Sequence, residues 1–312
     1  MNRDEAFKKL VKPHKDDKVL LLTHIDMDAA GAEILCYSTF KDLTVKHLNN
    51  NNMSDGILYN VTSNTDSNKY DLIIIDDISC SLKVANKIDE MKDTIKIVLL
   101  DHHSTAAELN KYSWASVDSE LLEDSFMVDK YKEPSKAHSS GASLMYDYLE
   151  YNGLLEGTGF LKELIHIIAA YDTWDWYDLL GENERYSSMD KLCDIYGLDD
   201  FVGEMYSRSL QCYTAAGLFN SKDLSKLERY KEKVDEYLES IKDSFVESTL
   251  TLENDEYSIA WCFTSSYLQE TFLLMKEMLP NKDLYIIDFG GGVSLRTDNP
   301  DLHVGMFARQ RY

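Results

Sequence analysis

The chain has 312 residues, of which 44% are apolar, so it is long enough for two domains that each bury a core. Its 55 acidic residues against 32 lysines and arginines give a net charge of −23. This charge argues against a tight, sequence-independent grip on long nucleic acid, because such binding needs a basic surface. A local pocket that holds only a few phosphates is compatible with it.

The cysteines and the lengths of the apolar runs indicate the cellular compartment in which the protein is expected. The five cysteines, at positions 36, 80, 193, 212 and 262, show no C-x-x-C pairing, which indicates reduced thiols rather than a disulfide or zinc framework. The first 18 residues are charged and lack a signal core, and no apolar stretch approaches the roughly 20 residues that cross a bilayer. We expect no membrane contact and a cytoplasmic protein, in a bacterium or a phage-infected bacterial cell.

Three short apolar segments, at 18–24, 71–76 and 95–101, predict parallel strands that helices cover on both faces. In each segment the acidic or histidine residues begin where the apolar run stops. Open α/β sheets bind ligands outside the carboxyl ends of their strands. The sequence therefore predicts an α/β fold with a doubly wound, mostly parallel sheet and a polar crevice at one edge.

The segment THIDMDAAGA at 23–32 places His24, Asp26 and Asp28 at alternate positions. In an extended segment these three side chains would point the same way, as a set of ligands does. Simpler explanations exist for each residue. His24 could be a hydrogen-bonded core histidine, and the two aspartates could cap a helix that begins near Ala29.

Further acidic and histidine residues follow the other apolar runs. IIIDDIS contains Asp76 and Asp77, LLDHHST contains Asp101 to His103, and AAYDTW contains Asp172. One of Asp76 and Asp77 is expected to cap the helix predicted around 81–92. Two carboxylates about 4 Å apart repel by roughly 4 kcal/mol at an effective dielectric near 20, so cations must offset the cluster. Imidazole and carboxylate ligands without thiolate suit Mn(II) or another first-row divalent ion.

These motifs in this order resemble the DHH phosphoesterase superfamily over most of the chain. The H-x-D-x-D segment is closer to the RecJ-like and Bacillus-type DHH oligoribonuclease branch than to the pyrophosphatase branch. The resemblance implies two divalent metal ions, with Mn(II) expected. It places the ligands of the first ion at His24 and Asp26, and those of the second at Asp28, His102 and Asp172.

The resemblance also implies roles for the neighbouring residues. Asp77 or Asp76 matches the carboxylate that bridges both ions, and the family pattern of Asp, small apolar residue and Ser favours Asp77 in DIS at 77–79. Asp101 matches a residue that orients an imidazole ring. His103 is expected to point away from its neighbour in an extended segment and to contact the scissile phosphate as a catalytic residue.

Beyond the predicted sheet, residues 139–170 predict helices that deliver Asp172 to the site. The lone His166 in them is expected to be a core residue. A helix over about 222–246 carries an apolar stripe and is expected to connect two domains, although the stripe also suits a homodimer interface. The predicted domains are 1–185, a helical connector at 186–250, and a smaller α/β domain at 251–312.

The C-terminal region has the order strand (257–263), helix (266–279) and hairpin (284–297), with glycines at 290–292 in the turn. This order resembles the DHH-associated substrate-binding domain, and the resemblance places Ser294 and Arg296 near substrate. Arginine suits bidentate recognition of phosphate. The family's glycine-rich GGGH loop is expected after DLHVGMFARQRY, where this sequence ends, so the remaining C-terminal contacts stay open.

The predicted activity is hydrolysis of phosphodiester bonds by a water that two metals activate. An exonuclease or oligoribonuclease that releases mononucleotides from short single-stranded oligonucleotides fits the motifs and the acidic surface best. Alternatives are a hydrolase of cyclic or linear dinucleotides, a RecJ-like exonuclease for single-stranded DNA, and a nucleotide-binding module without catalysis. RNA or DNA preference, polarity and preferred length are left open.

Overall fold

The computed structural model describes residues 1–49, 52–67, 69–181, 183–252, 255–297, 299, 302 and 304. The chain divides into two compact units, Met1–Leu224 and Ser225–Tyr312. The C-terminal segment DLHVGMFARQRY, after which the family loop is expected, falls almost wholly outside the described residues. The domain boundaries predicted from the sequence remain predictions.

The first unit is built around a five-stranded parallel sheet. Its strands are β1 (Lys18–Thr23), β2 (Asp42–His47), β3 (Leu72–Asp76), β4 (Lys96–Asp101) and β5 (Ala115–Val117). Its helices are α1 (Arg3–Phe7), α2 (Met27–Thr39), α3 (Met53–Ser67), α4 (Leu82–Asp89), α5 (Gly141–Tyr151), α6 (Gly159–Asp172), α7 (Asp175–Asp178), α8 (Glu184–Tyr196) and α9 (Leu198–Gln211).

The strand order is β2-β1-β3-β4-β5, so the chain reverses its direction across the sheet between β1 and β3. Strands β1, β3 and β4 are almost fully buried because helices pack on both of their faces. Side chains of α3, α4 and the 3-10 helix Ser104–Lys111 share one apolar cluster with these strands. The predicted doubly wound α/β fold is confirmed, and the strand reversal between β1 and β3 is the position at which open α/β sheets bind ligands.

The second unit is a smaller four-stranded sheet of order β6-β7-β8-β9. Helix α10 (Ser221–Ile241) leads into it, and its further elements are β6 (Val246–Leu252), β7 (Asp255–Phe263), α11 (Leu268–Met278), β8 (Leu284–Asp288) and β9 (Val293–Arg296). Strands β7 and β8 are parallel with α11 between them in the chain, whereas the two outer pairs are antiparallel. Gly290 in the β8–β9 turn has φ 77, a left-handed conformation that glycine adopts at little cost.

Two sequence expectations about helix ends are wrong. The helix predicted over about 222–246 ends at Ile241 as α10, and strand β6 begins at Val246. Helix α4 begins at Leu82 with Ser81 at the N-cap, so neither Asp76 nor Asp77 caps it. Neither aspartate is therefore engaged in capping α4.

Helices α8 and α9 lie within the first unit. Helix α8 packs on α6, and α9 packs on α2. The Arg208 guanidinium on α9 donates to both carboxylate oxygens of the fully buried Asp223, at 2.7 and 3.0 Å. This bidentate pair fixes the start of α10 to the first unit.

His166 is a core residue, as predicted. It is 4% exposed and lies edge-on to Tyr131 and Tyr186, and burial lowers the pKa of its imidazole to about 4. All five cysteines are free thiols. Within the described residues, no helix combines the length and apolarity needed to cross a membrane.

Candidate metal centre

The predicted site residues follow the carboxyl ends of the three central strands. β1 ends at Thr23, β3 at Asp76 and β4 at Asp101, and the three strands run in parallel register. The Asp77 N–H donates to the Leu100 carbonyl at 3.0 Å, which extends the pairing of β3 and β4 by one residue. The predicted site residues therefore follow strand ends that lie at the same edge of the sheet.

The H-x-D-x-D segment does not form an extended ligand set, because helix α2 begins at Met27. Asp26 is the N-cap of this helix and accepts a hydrogen bond from the Ala29 N–H at 3.0 Å. Asp28 lies in the first turn, 1% exposed, and accepts from the Ala142 N–H at 3.2 Å. The predicted side-chain alternation is wrong, yet the turn from strand to helix still brings these carboxylates to the crevice.

His24 and Asp26 form a close pair, with Nδ1 and Oδ2 2.5 Å apart. The hydrogen bond to Asp26 raises the pKa of His24 against the opposing effect of burial. Burial alone would raise the pKa of Asp26, but the hydrogen bonds from His24 and the Ala29 N–H lower it overall. Asp26 is thus a carboxylate at neutral pH, both as a helix cap and as a candidate ligand.

Asp76 and Asp77 face different surroundings although they are neighbours. Asp76 is completely buried, and neither of its carboxyl oxygens has a hydrogen-bond partner among the described residues. Asp77 has φ 60, the left-handed conformation that aspartate tolerates better than most residues, and its Oδ1 lies 3.2 Å from His102 Nε2. Burial, and then the charge of Asp28, raise the pKa of both carboxyls well above the usual range.

Within the DHH segment, Asp101 holds the second histidine. Asp101 is fully buried, and its Oδ1 accepts from the His103 N–H at 3.1 Å and lies 2.7 Å from His103 Nδ1. The His103 side chain is 54% exposed. The expectation that it points away from His102 is wrong, since the two ring centroids are 4.3 Å apart. The chain turns into a 3-10 helix at Ser104, which brings the rings together.

Asp172 is the last residue of α6, and its Oδ2 lies 3.5 Å from His102 Nε2. Burial, followed by the negative charge of Asp28, raises the pKa of this carboxyl to about 8. Helix α6 thus delivers Asp172 to the crevice, as the sequence predicted.

The candidate ligands fall into overlapping groups whose donor atoms lie within 4.8 Å of one another. The groups are His24, Asp26 and Asp77; Asp28, His102 and Asp172; and Asp77, Asp101, His102 and His103. Asp77 and His102 each belong to two groups, whereas Asp76 belongs to none of them. Buried oxygens of Asp76, Asp101 and Asp172 lack hydrogen-bond partners among the described residues, so this donor set fits cations that neutralise it.

Sequence reasoning missed Gly141, the first residue of α5, whose close approach closes one side of the metal centre. A Cβ atom built on Gly141 would lie 2.6 Å from Asp77 Cβ, 2.8 Å from Asp28 Oδ2 and 3.0 Å from Asp76 Oδ2. Only glycine fits there without displacing these aspartates. The run of small residues in SSGAS was the available signal.

A second missed feature is the pair of His138 and Asp175, which lie three residues from Gly141 and from Asp172, respectively. Asp175 is 1% exposed and accepts from the His138 N–H at 2.9 Å, and its other oxygen lies 2.7 Å from His138 Nδ1. The hydrogen bond to Asp175 raises the pKa of His138 against the opposing effect of burial. This pair ties the start of α5 to the end of α6.

The aromatic residues after Asp172 pack on one another. Trp176 stacks on Tyr171 and Trp174, with centroid distances of 5.8 and 6.3 Å, and Tyr177 meets both tryptophans edge-on. Trp174 has φ 65 and is the N-cap residue of α7. This cluster fixes the turn that follows the Asp172 ligand position.

Ser294 and Arg296 lie on β9 of the second unit. The Arg296 guanidinium stacks on the Phe272 ring at 4.9 Å and donates to Gln269 Oε1 at 2.5 Å, both on α11. Its Nε lies 3.4 Å from the Ser294 hydroxyl. Arg296 therefore contacts the helix-covered face of its own sheet, and its predicted role toward substrate stays a prediction.

Residues 18–170 match the family model described as DHH family, N-terminal domain. They form a DHH-family domain. It contains every candidate ligand except Asp172, which follows its last matched residue by two positions. The chain is similar to Oligoribonuclease NrnB of Bacillus subtilis (strain 168), with 26% identity over 294 residues that cover 92% of this chain and 68% of the relative.

Two solved structures are similar to the chain. One is an uncharacterized protein from Helicobacter pylori G27, with a TM-score of 0.49 and 18% identity over 94% of this chain and 88% of the other. The second is the pGpG-specific phosphodiesterase PggH from Vibrio cholerae, with a TM-score of 0.44 and 13% identity over 86% and 77% of the two chains. By its DHH domain and its curated relative, the chain is a hydrolytic enzyme of the phosphodiesterase class.

Proposed function

We propose that this enzyme is an exonuclease that hydrolyses short single-stranded oligonucleotides to mononucleotides with two divalent metal ions, Mn(II) being the expected metal. The observation that carries the proposal is the pair of donor groups, His24–Asp26–Asp77 and Asp28–His102–Asp172, which meet at the 3.2 Å contact of Asp77 with His102. The similarity to Oligoribonuclease NrnB supports the substrate class.

In this proposal His24, Asp26 and Asp77 would hold one cation, and Asp28, His102 and Asp172 would hold the other, with Asp77 as the proposed shared carboxylate. Divalent cations held there would supply charge neutralisation for the phosphate and would lower the pKa of water toward neutrality. Asp76, the neighbour of Asp77 in the chain, is completely buried and belongs to neither group. The site residues are carboxylates and imidazoles, which suit cation binding and proton transfer.

His103 is the proposed contact to the scissile phosphate. Its side chain is half-exposed at the crevice, and Asp101 accepts from its backbone N–H while lying 2.7 Å from Nδ1. With Nδ1 donating to Asp101, Nε2 remains directed away from this carboxylate for a phosphate oxygen. Asp101 therefore acts through the orientation of His103.

The first prediction tests the metal centre. Asp28→Asn and His102→Ala should each lower kcat/KM for bis-p-nitrophenyl phosphate by more than about 100-fold. Mutation of a residue that merely orients a metal ligand already lowers activity by roughly 10- to 100-fold, and removal of the ligand itself should cost at least as much. Both variants should bind less Mn(II) by calorimetry while the circular dichroism spectrum is unchanged. The matched controls are Asp129→Asn and His14→Ala, which alter exposed residues. Full activity of chelator-treated enzyme would refute the proposal.

A further inference from the structure

The pair of His138 and Asp175 lies outside the ligand groups of the metal centre. Asp175 is 1% exposed, and both of its carboxylate oxygens are used by one residue. One oxygen accepts from the His138 N–H at 2.9 Å, and the other lies 2.7 Å from His138 Nδ1. The His138 side chain is 52% exposed. With Nδ1 donating to Asp175, the Nε2 edge of the ring is directed away from this carboxylate.

The same arrangement occurs at His103, the proposed contact to the scissile phosphate. Asp101 is also fully buried, accepts from the N–H of its histidine at 3.1 Å and lies 2.7 Å from Nδ1. The His103 side chain is 54% exposed, nearly the same fraction as for His138. A carboxylate bound to Nδ1 fixes the tautomer and the orientation of an imidazole ring. Both histidines are therefore oriented to donate a hydrogen bond from Nε2–H.

Chain connections and contacts place His138 beside the metal centre. Four residues after His138, the Ala142 N–H donates to the candidate ligand Asp28 at 3.2 Å. Donor atoms of Asp28 and Asp172 lie within 4.8 Å of each other. Asp175 follows Asp172 by three residues, a span of at most about 11 Å between their Cα atoms, and it binds His138. This circuit of contacts is closed, so His138 lies within reach of a substrate held at the ligands.

A purely structural role does not need the His138 ring. The main chain of His138 donates to Asp175 through its N–H and forms a β-bridge with Glu120. Neither contact depends on the side chain at position 138. The ring is half-exposed, so it buries little apolar surface. The presence of an imidazole here is better explained by what Nε2 can bind.

The charges around His138 favour its protonated form and thus an anionic ligand. The hydrogen bond to Asp175 raises the pKa of His138 against the opposing effect of burial, and the charges of Asp175, Asp178 and Glu120 raise it further. Both ring nitrogens of an imidazolium donate and neither accepts. Because Nδ1 is held by Asp175, Nε2–H is the donor that remains for a ligand. The anionic groups of an oligonucleotide are its phosphates.

We propose that His138 binds a second phosphate of the substrate, one that is not cleaved, an inference that rests on the proposed nuclease function. Its Nε2–H donates to an oxygen of that phosphate while the scissile phosphate lies at the metal centre. In a dinucleotide, the shortest substrate, the only phosphate besides the scissile one is a terminal phosphate. His138 therefore gives the enzyme a preference for dinucleotides that carry a terminal phosphate.

Hydrolysis of three dinucleotides tests this assignment: one with a 5′-phosphate, one with a 3′-phosphate and one with neither. For at least one phosphorylated dinucleotide, kcat/KM should exceed that for the unphosphorylated one by at least about tenfold, mainly through a lower KM. The end that gives the advantage identifies the phosphate bound by His138. In His138→Gln, which is neutral, the advantage should fall to about threefold or less. His14→Gln, the same change at an exposed histidine, should keep the wild-type ratio.

The ratio between substrates distinguishes phosphate recognition from structural damage. Loss of metal or of folded enzyme lowers the rates on all three dinucleotides and leaves their ratio unchanged. Without a phosphate subsite, the net charge of −23 should make an added terminal phosphate unfavourable. No advantage of either phosphorylated dinucleotide in wild-type enzyme, or an unchanged advantage in His138→Gln, would overturn the subsite.

Direct binding separates this inference from the proposed function. Calorimetry with dinucleotides whose internal linkage is an uncleavable methylphosphonate needs no turnover. The terminal phosphate should lower Kd by about tenfold in wild-type enzyme and by about threefold or less in His138→Gln. Equal Kd values with and without the terminal phosphate would overturn the subsite. Absence of metal-dependent hydrolysis of bis-p-nitrophenyl phosphate would instead overturn the proposed function and leave the calorimetric comparison valid.

Discussion

Asp172 shows that burial and neighbouring carboxylates disfavour the ionised form of the aspartates in the metal centre. Burial and then the charge of Asp28 raise the pKa of Asp172 to about 8, against an unfolded value near 3.9. A carboxyl whose folded pKa is raised contributes most to stability below its unfolded pKa. That contribution is lost as the pH rises toward the folded pKa.

The second prediction follows from this loss of stability with rising pH. The melting temperature of metal-free enzyme should fall by several degrees between about pH 6 and about pH 8.5, and saturating Mn(II) should reduce or reverse this fall, because metal binding favours deprotonated ligands. Scanning calorimetry at three pH values measures it. The Asp172→Asn variant, which lacks the titrating group, should show a shallower pH dependence. A melting temperature of metal-free enzyme that rises over this interval would contradict the prediction.

Arg296 carries the third prediction. If it also holds a substrate phosphate, Arg296→Ala should lower kcat/KM for an oligonucleotide by about 10- to 100-fold and leave bis-p-nitrophenyl phosphate hydrolysis near wild type. Arg296 also contacts Phe272 and Gln269, so its role could instead be to stabilise the second unit. In that case Arg296→Ala should lower the melting temperature. The matched control is Arg229→Ala, an exposed arginine on α10. Equal losses on both substrates would indicate structural damage.

Residue types were easier to predict than their geometry. The sequence could name Asp76 and Asp77 as candidates, but it could not show that a left-handed residue at 77 would place that carboxyl beside His102. The same limit explains His103, whose ring orientation depends on the 3-10 turn after it. Local backbone reversals of this kind leave no periodic signal in the sequence.

At the scale of elements, the start of α5 is the least tolerant part of the metal centre. The fourth prediction is that Gly141→Ala lowers bis-p-nitrophenyl phosphate kcat/KM by at least about 100-fold, because its methyl group would stand 2.6 Å from Asp77 Cβ. Weaker Mn(II) binding in calorimetry should accompany the loss. The matched control is Gly203→Ala on α9, where a Cβ meets nothing within 4 Å.

The control should behave differently in two respects. Gly203→Ala should keep wild-type activity on this small substrate and raise stability by about 0.5–1 kcal/mol, since alanine is the better helix former. If Gly141→Ala retained full activity and metal affinity, the close approach of α5 to the aspartates would have no functional role.

Elements were predictable where burial imposed a uniform pattern. Strands β1, β3 and β4 are apolar throughout because both of their faces are covered, and their predicted limits agree with the structure within one residue. Strand β6 was missed because VESTLTL follows α10 without a clear break. The packing of α8 and α9 on the first unit depends on long-range contacts, which sequence periodicity does not report.

At the scale of the whole molecule, the net charge of −23 opposes binding of extended polyanions. The fifth prediction is that oligonucleotides of about two to ten residues are degraded faster than long single strands at low ionic strength, because only a few phosphates approach the cations. Rates measured against length at two salt concentrations test it. Added salt should narrow the difference by screening the surface. Faster digestion of a long strand than of a trimer at low salt would favour the RecJ-like alternative.

The order of the ligands along the chain has a consequence for biosynthesis. The metal centre draws on segments from His24 to Asp172, so the ribosome makes β1, β3 and β4 with their acidic ends well before α6 supplies the last ligand. Domains fold from the N-terminus during synthesis, and an incomplete parallel sheet is prone to aggregate. Capture of cations by the full ligand set is therefore a late event in the synthesis of the first unit, because it must follow the completion of α6.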